Sequence, residues 1–187
     1  MKMNICMVGA LLLLGVAASG CANNRDLIAK SVIPARNDVF TEGGNGAQAG
    51  RAVVDFTLLV KSNLYYLMGT YGKHTAPPYR AHLNIDGQTT ILEADPILED
   101  NNSVGLKAPE SGTGWKYQFS KRLTLAPGKH RLSIALPIDD VIVEREIEIR
   151  PGINTVAVTP VYKRKMLRPY KGENFSAGVK TVEIAVN

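Results

Sequence analysis

From Arg51 onward, apolar residues recur at every second position over short stretches separated by turn residues. Tyr79, Ala81, Leu83 and Ile85 alternate with Arg80, His82 and Asn84. Trp115, Tyr117 and Phe119 alternate with Lys116, Gln118 and Ser120, and Leu123 and Leu125 continue the run. Leu132, Ile134 and Leu136, then Ile147 and Ile149, then Val156 and Val158, then Val182, Ile184 and Val186 repeat the pattern. A period of two with one apolar face predicts half-buried strands. Residues 51–61 are rich in Val, Phe, Thr and Leu, which favours a further strand.

Turn chemistry falls between these runs. Asp86-Gly87 suits a tight hairpin because Gly tolerates positive φ. Ala126-Pro127-Gly128-Lys129, Asp139-Asp140 and Pro151-Gly152 supply the next reversals. The spacing predicts about eight strands and an all-β class, an antiparallel immunoglobulin-like β-sandwich over 51–187. No segment carries sustained helical apolar spacing. Residues 93–113 read as a long irregular insertion, a length usually tied to function or mobility.

The N-terminal fifty residues follow another logic. Lys2 is followed by an uncharged stretch, Ile5 to Ala18, that includes Leu11 to Leu14 and closes on Ala17, Ala18, Ser19 and Gly20. Charge, apolar core and small-residue exit describe a secretory signal over 1–20. The stretch falls short of the roughly 20 apolar residues that span a bilayer. Residues 21–50 contain Asn23-Asn24-Arg25 and a run from Glu42 to Gly50 rich in Gly and small polar residues. Such composition predicts a flexible tether holding the domain on the order of 30 Å from its attachment. Within it, Leu27 to Phe40 is more apolar and can dock as a short strand, and Pro34 argues against a long helix.

Ala18-Ser19-Gly20-Cys21 resembles the lipobox of bacterial lipoproteins, with Ala18 where that family prefers Leu. The resemblance implies that Cys21 takes a diacylglyceryl group and becomes the first mature residue. Ala22 stands where inner-membrane retention uses Asp, so the resemblance implies an outer-membrane lipoprotein, facing the periplasm. Several acyl chains on one residue give lasting attachment, whereas a single chain binds reversibly. The alternative is an ordinary signal peptide releasing a soluble periplasmic protein.

Cysteine use agrees with either reading. The chain has only Cys6 and Cys21. Removal of the signal and lipidation of Cys21 would leave no thiol for a disulfide, so the domain must fold on its apolar core. Lys and Arg total 22 against 17 Asp and Glu, and without Lys2 the mature excess is +4. A mild positive charge favours anionic headgroups through non-specific fields, or serves solubility alone. An exported protein has no nucleic-acid partner to meet.

Three pieces in the second half are similar to a PEGA-type module, a small β-sandwich of bacterial envelope proteins. They are Leu83 to Gly87, Leu123 to Leu132 and Ile147 to Asn154. The Pro-Glu-Gly-Ala of that family is absent, and the insertion between the first two pieces is longer. The resemblance implies a non-catalytic surface or assembly role and transfers no catalytic residue.

Candidate chemistry is sparse. His74, His82 and His130 lack metal-ligand spacing and read as surface histidines. Ser111, in Glu110-Ser111-Gly112-Thr113-Gly114, lies outside any nucleophile elbow, although pairing with His74 or His130 would make a hydrolase. Asp95, Glu99, Asp100 and Asn101 offer oxygens for calcium without the EF-hand spacing. No cofactor or metal is expected. Tyr65, Tyr66, Tyr71 and Tyr79, with His74 among them, either fill the core or present aromatic faces to a sugar or protein. Lys163, Arg164, Lys165 and Arg168 form a basic stretch that either meets anionic headgroups or is simply solvated. The function expected is a lipid-anchored, non-enzymatic module that binds or scaffolds another envelope component, a protein or a glycan. A glycan- or peptidoglycan-binding module using the tyrosines is the alternative, and a hydrolase the third reading.

Overall fold

The structure is a computed structural model that describes residues 24–43, 50–63, 79–101, 108–164 and 173–187. One helix, α1 (Asn24–Ser31), precedes ten strands: β1 (Phe40–Glu42), β2 (Ala52–Ser62), β3 (Arg80–Ile85), β4 (Gln88–Glu93), β5 (Ile97–Asp100), β6 (Thr113–Leu125), β7 (Gly128–Leu136), β8 (Val141–Ile149), β9 (Ile153–Tyr162) and β10 (Val179–Val186). Short 3-10 turns cover Pro137–Asp139 and Asn174–Ala177.

The strands form two sheets. One runs β1-β6-β2-β9-β10, with β5 also on β6, and the other runs β4-β3-β7-β8. Inward side chains of both meet in one core. On β2 these are Ala52, Val54, Phe56, Leu58 and Val60; they face the same interior as Leu83, Ile134, Phe119 and Val156. The aromatic centre is Tyr79, Tyr117 and Phe119, with Tyr79 and Tyr117 ring centroids 5.3 Å apart. Burial pushes the Tyr117 hydroxyl up to about 12.

The all-β class holds, with particular differences. There are ten strands among the described residues rather than about eight. The first sheet is mixed, because β2 and β9 run parallel, Val53 opposite Ile153 through Leu58 opposite Val158. One short strand, β5, lies where the sequence suggested none, and another, β1, falls at the end of the 27–40 stretch read as able to dock as a short strand. β5 pairs Ile97–Asp100 with Thr113–Lys116 inside the expected insertion, and β1 pairs Phe40–Glu42 with Leu123–Leu125. Both are short edge strands whose exposed residues show no alternation (Ile97 and Leu98 are both exposed), so periodicity does not reveal them.

Residues 24–43, expected to be part of a tether within which 27–40 can dock as a short strand, are folded onto the domain, but Asn24–Ser31 is helical and only Phe40–Glu42 is a strand. The Ser31 carbonyl accepts from Thr89 Oγ1 (2.8 Å) and Asn84 Nδ2 (3.2 Å). The Gly87 carbonyl accepts from the amides of Ala35 (2.9 Å) and Arg36 (3.2 Å). Gln88 Oε1 accepts from the amides of Val39 and Phe40, and its Nε2 donates to the Phe40 carbonyl. Few apolar residues are buried here, so composition suggested a loose segment. What fixes it is a row of polar side chains on β3 and β4 that satisfy its backbone.

The Asp86-Gly87 turn joins β3 to β4 with Ile85 opposite Gln88, and both turn residues have positive φ (49° and 92°). That is the type I′ geometry whose twist matches a two-residue hairpin.

Candidate functional site

The long connections leave the domain at one end. β2 ends at Ser62, opposite Trp115 near the start of β6, and β9 runs parallel to β2 toward the same end. Lys61 N donates to the Tyr162 hydroxyl at 2.9 Å, joining the ends of β2 and β9. The Phe175 amide donates to the Pro109 carbonyl, and Lys163 N donates to the Gly178 carbonyl at 2.9 Å. The described flanks of segments 64–78, 102–107 and 165–172 therefore gather there. The opposite end is closed by short turns at Asp86-Gly87, Ala126-Pro127 and Pro151-Gly152.

Two polar networks hold this end together. The first centres on Lys61. Strand parity places Lys61 on the outer side of its sheet, because the even-numbered β2 residues fill the core. Its ammonium is nevertheless fully buried. Nζ donates to Glu99 Oε2 (3.1 Å), Asn101 Oδ1 (3.0 Å), and the carbonyls of Glu110 (3.0 Å) and Gly112 (2.6 Å). It also lies 5.0 Å from the centroid of the Phe175 ring, a cation–π contact. Gly114 makes room. A Cβ there would stand 2.6 Å from Phe175 Cε2 and 2.6 Å from the Ser62 carbonyl.

Glu99 also accepts from Lys116 Nζ at 2.6 Å. The hydrogen bond from Lys116, and then those from Lys61, hold its carboxyl below the usual glutamate range despite partial burial. Tyr162 donates to Glu110 Oε1 at 2.8 Å. Burial and the neighbouring Glu110 charge push its hydroxyl up, which keeps it a neutral donor. An ammonium without exposure, surrounded by four oxygens, has no path to a substrate. It fastens the base of the 101–112 connection.

Two of the four residues that offered oxygens for calcium belong to this network. Glu99 and Asn101 serve an internal cation, the Lys61 ammonium. Among the described residues no group of three or more His, Cys, Asp or Glu is placed to hold a metal ion.

The second network centres on Asp139. Its Oδ2 accepts from the Tyr79 hydroxyl at 2.5 Å, and its Oδ1 accepts from the Val179 amide at 3.0 Å. Tyr79, read as either filling the core or presenting an aromatic face, is buried in the core with its hydroxyl on Asp139. Tyr65, Tyr66, Tyr71 and His74 lie outside the described residues, as do Cys21, Lys165 and Arg168. Lys163 and Arg164 are exposed at this end.

The remaining candidates separate. His130 is buried rather than on the surface. Its Nδ1 meets Asp86 Oδ2 at 2.6 Å and its Nε2 meets the Ala126 carbonyl at 2.8 Å. Asp86 Oδ1 accepts from the Arg131 amide at 2.7 Å, so this pair rivets the β3–β4 turn to β7. Ser111 precedes β6 and His130 lies beyond its far end. Thirteen residues of strand separate them, roughly 40 Å, which rules out a Ser111–His130 hydrolase pair. His82 sits half-buried on β3, where desolvation, then Arg80, lowers its basicity.

One further feature was not legible from the sequence. On one side of the two sheets the edges are bridged by the N-terminal arm: β1 lies along β6, Gln88 of β4 holds Phe40, and Thr90 Oγ1 donates to Glu42. On the other side, among the described residues, β8 pairs only with β7, and β10 only with β9. Between them lies an open groove of about 620 Å³, lined in part by Arg145, Ile147, Glu148, Ile184, Val186 and Asn187. Arg145 Nη1 crosses it to the Ile184 carbonyl at 2.6 Å.

No protein-family model, no curated protein and no solved structure matches this chain.

Proposed function

We propose that this chain is a lipid-anchored protein of the bacterial outer membrane, held through Cys21, that binds or scaffolds another envelope protein without catalysing a reaction. The layering of its sheets is read as immunoglobulin-like in architecture, with its own strand order. The observation that carries the reading is the open seam between β8 and β10. Two strand edges without a ladder partner on one side of a domain, bridged at Ile184 by Arg145, invite an added strand, and backbone pairing then gives affinity while alternate side-chain pockets give selectivity. The partner chemistry is an extended segment of another envelope protein. The lipobox-like residues and the PEGA-like turns point the same way. The glycan alternative is weakened by the burial of Tyr79.

The test uses the edge itself. The Ile184 carbonyl faces Arg145 across the seam, while the amide and carbonyl of Asn187 pair with Thr155. Strand alternation therefore points the Val186 amide into the seam. Val186→Pro removes a seam donor without breaking a bond to β9. In cells, site-specific crosslinking from Ala185 is expected to capture one defined envelope protein, and Val186→Pro to reduce that product at unchanged protein level. Crosslinking that is absent, or unaffected by Val186→Pro, overturns the seam. Separately, intact mass showing an unmodified Cys21 overturns the anchor.

A further inference from the structure

The place where the chain enters the domain sets how the domain stands on its membrane. Asn24, the first described residue, donates through Nδ2 to the Asp140 carbonyl at 3.0 Å. Asp140 follows Asp139, whose carboxylate holds Tyr79 and Val179. A Cβ on Gly178 would lie 2.5 Å from Asp139 Oδ1 and 3.8 Å from Lys163 Nζ. Asn24, Asp139 and Lys163 thus share the end from which the long connections leave. From there α1 runs back along β7 and β8 until the Ser31 carbonyl reaches Asn84 and Thr89, beside the Asp86-Gly87 turn.

Covalent geometry then limits the anchor. Three residue steps separate Cys21 from Asn24, and a chain spans at most about 3.6 Å per residue, so Cys21 lies within about 11 Å of Asn24 in any conformation. The domain is roughly 40 Å long by the length of β6. An anchor much shorter than the body it holds keeps the Asp140 end at the bilayer while α1 stays docked, and excludes the inverted stance in which only the far end touches it.

Resting on the lipid-anchored reading, we infer that the lipid leaves the domain beside Asp140, and that the end carrying Lys163 and Arg164 sits on the phospholipid surface with the short-turn end pointing away. Lys163 and Arg164 are exposed there, and Asp140 is exposed beside them. The charges are mixed, so the short anchor sets the orientation and the two cations only meet headgroup phosphates. The β8–β10 seam then runs up the side of the standing domain, accessible from the periplasm.

The single tryptophan reports this directly. Trp115 lies at the lower end, opposite Ser62 and Leu98. The processed protein, purified from expressing cells, is placed in vesicles of phosphatidylethanolamine and phosphatidylglycerol carrying a dansyl headgroup acceptor. Energy transfer from Trp115 is expected to exceed, by at least about twofold, transfer from a Trp115→Phe, Lys129→Trp variant, given the roughly 40 Å between ends. A flexible Gly/Ser insert after Ala22 leaves the fold untouched and is expected to lower the Trp115 signal. Equal transfer from the two ends, or no effect of the insert, in protein that floats with the vesicles overturns the orientation alone. Protein that fails to float and carries an unmodified Cys21 overturns the anchor, which separates the two failures.

Discussion

Replacing Lys61 by Met tests whether a surface-parity lysine has become part of the interior. The side chains are similar in length, so the change removes the charge and its donors while keeping most of the volume. What is left behind sets the magnitude. The Asn101 oxygen and the carbonyls of Glu110 and Gly112 lose their ammonium donor, and Glu99 keeps Lys116 and a long hydrogen bond from Asn101 Nδ2 (3.5 Å). Breaking a buried ion pair from one side costs about 3–5 kcal/mol. The Glu99 side chain is 25% exposed and retains a cation, so the lower end applies, about 3 kcal/mol. For a domain of this size that lowers the Tm by about 6–12 °C. Lys116→Met is the control because it touches the same carboxylate. The hydrogen bond from Lys116 is the largest single cause of the lowered acid range of Glu99, yet the Lys116 side chain is 29% exposed, and pairs of that kind contribute about 0–1 kcal/mol. Urea unfolding of the two variants, with amide exchange at Gly112 and Phe175, measures the difference. If Lys61→Met unfolds within about 1 kcal/mol of the parent, or no more readily than Lys116→Met, the reasoning from burial is refuted.

Three further outcomes follow from the same geometry. The folded pKa of Glu99 is depressed, so its contribution is complete above its ordinary value of 4.5 and is lost as pH falls through the lower folded value; stability measured from pH 6 to pH 2 should fall in that acid window, less so in Glu99→Gln, and an identical profile in the variant would count against the pairing. Asn154 accepts from the Arg150 amide (2.9 Å) and donates to the Arg150 carbonyl (2.8 Å) across the turn linking the sheets; Asn154→Ala should cost about 1–3 kcal/mol in urea unfolding, and a neutral result would show that water replaces the clamp. Gly114→Ala should destabilise by about 1–3 kcal/mol through overpacking against Phe175 and the Ser62 carbonyl, with Phe175→Leu relieving part of the loss; a tolerated alanine would show that the covering turn moves freely.

Local pattern was enough to place most of the strands. Wherever one face of a strand is buried and the other solvated, period-two alternation is imposed on the sequence, so the eight longer strands lie within a few residues of their expected positions. The type I′ turn at Asp86-Gly87 was legible for a similar reason: positive φ at both positions narrows the residue choice. The core status of Tyr79 followed from its parity with Ala81, Leu83 and Ile85, although its phenol also suited an exposed site. The short strand β5 was not legible, and β1 only as a docked strand somewhere within 27–40, because three or four residues along an edge bury too little to leave a period. That the arm can dock was legible, but neither its helix nor its attachment was, because the latter comes from Asn84, Gln88 and Thr89, far along the chain.

The sequence by itself determined the class, the inward faces and the turns, because each depends on neighbours a few residues away. Only the tertiary structure decided that Lys61 is enclosed, that β8 and β10 leave an open seam, and that Asn24 enters beside Asp140. Each of these is a meeting of segments more than a hundred residues apart or on separate sheets, or a covering layer laid over a face that strand periodicity marks as exposed. A one-dimensional pattern records which side a residue points to, and it carries no information on what the rest of the chain later places there.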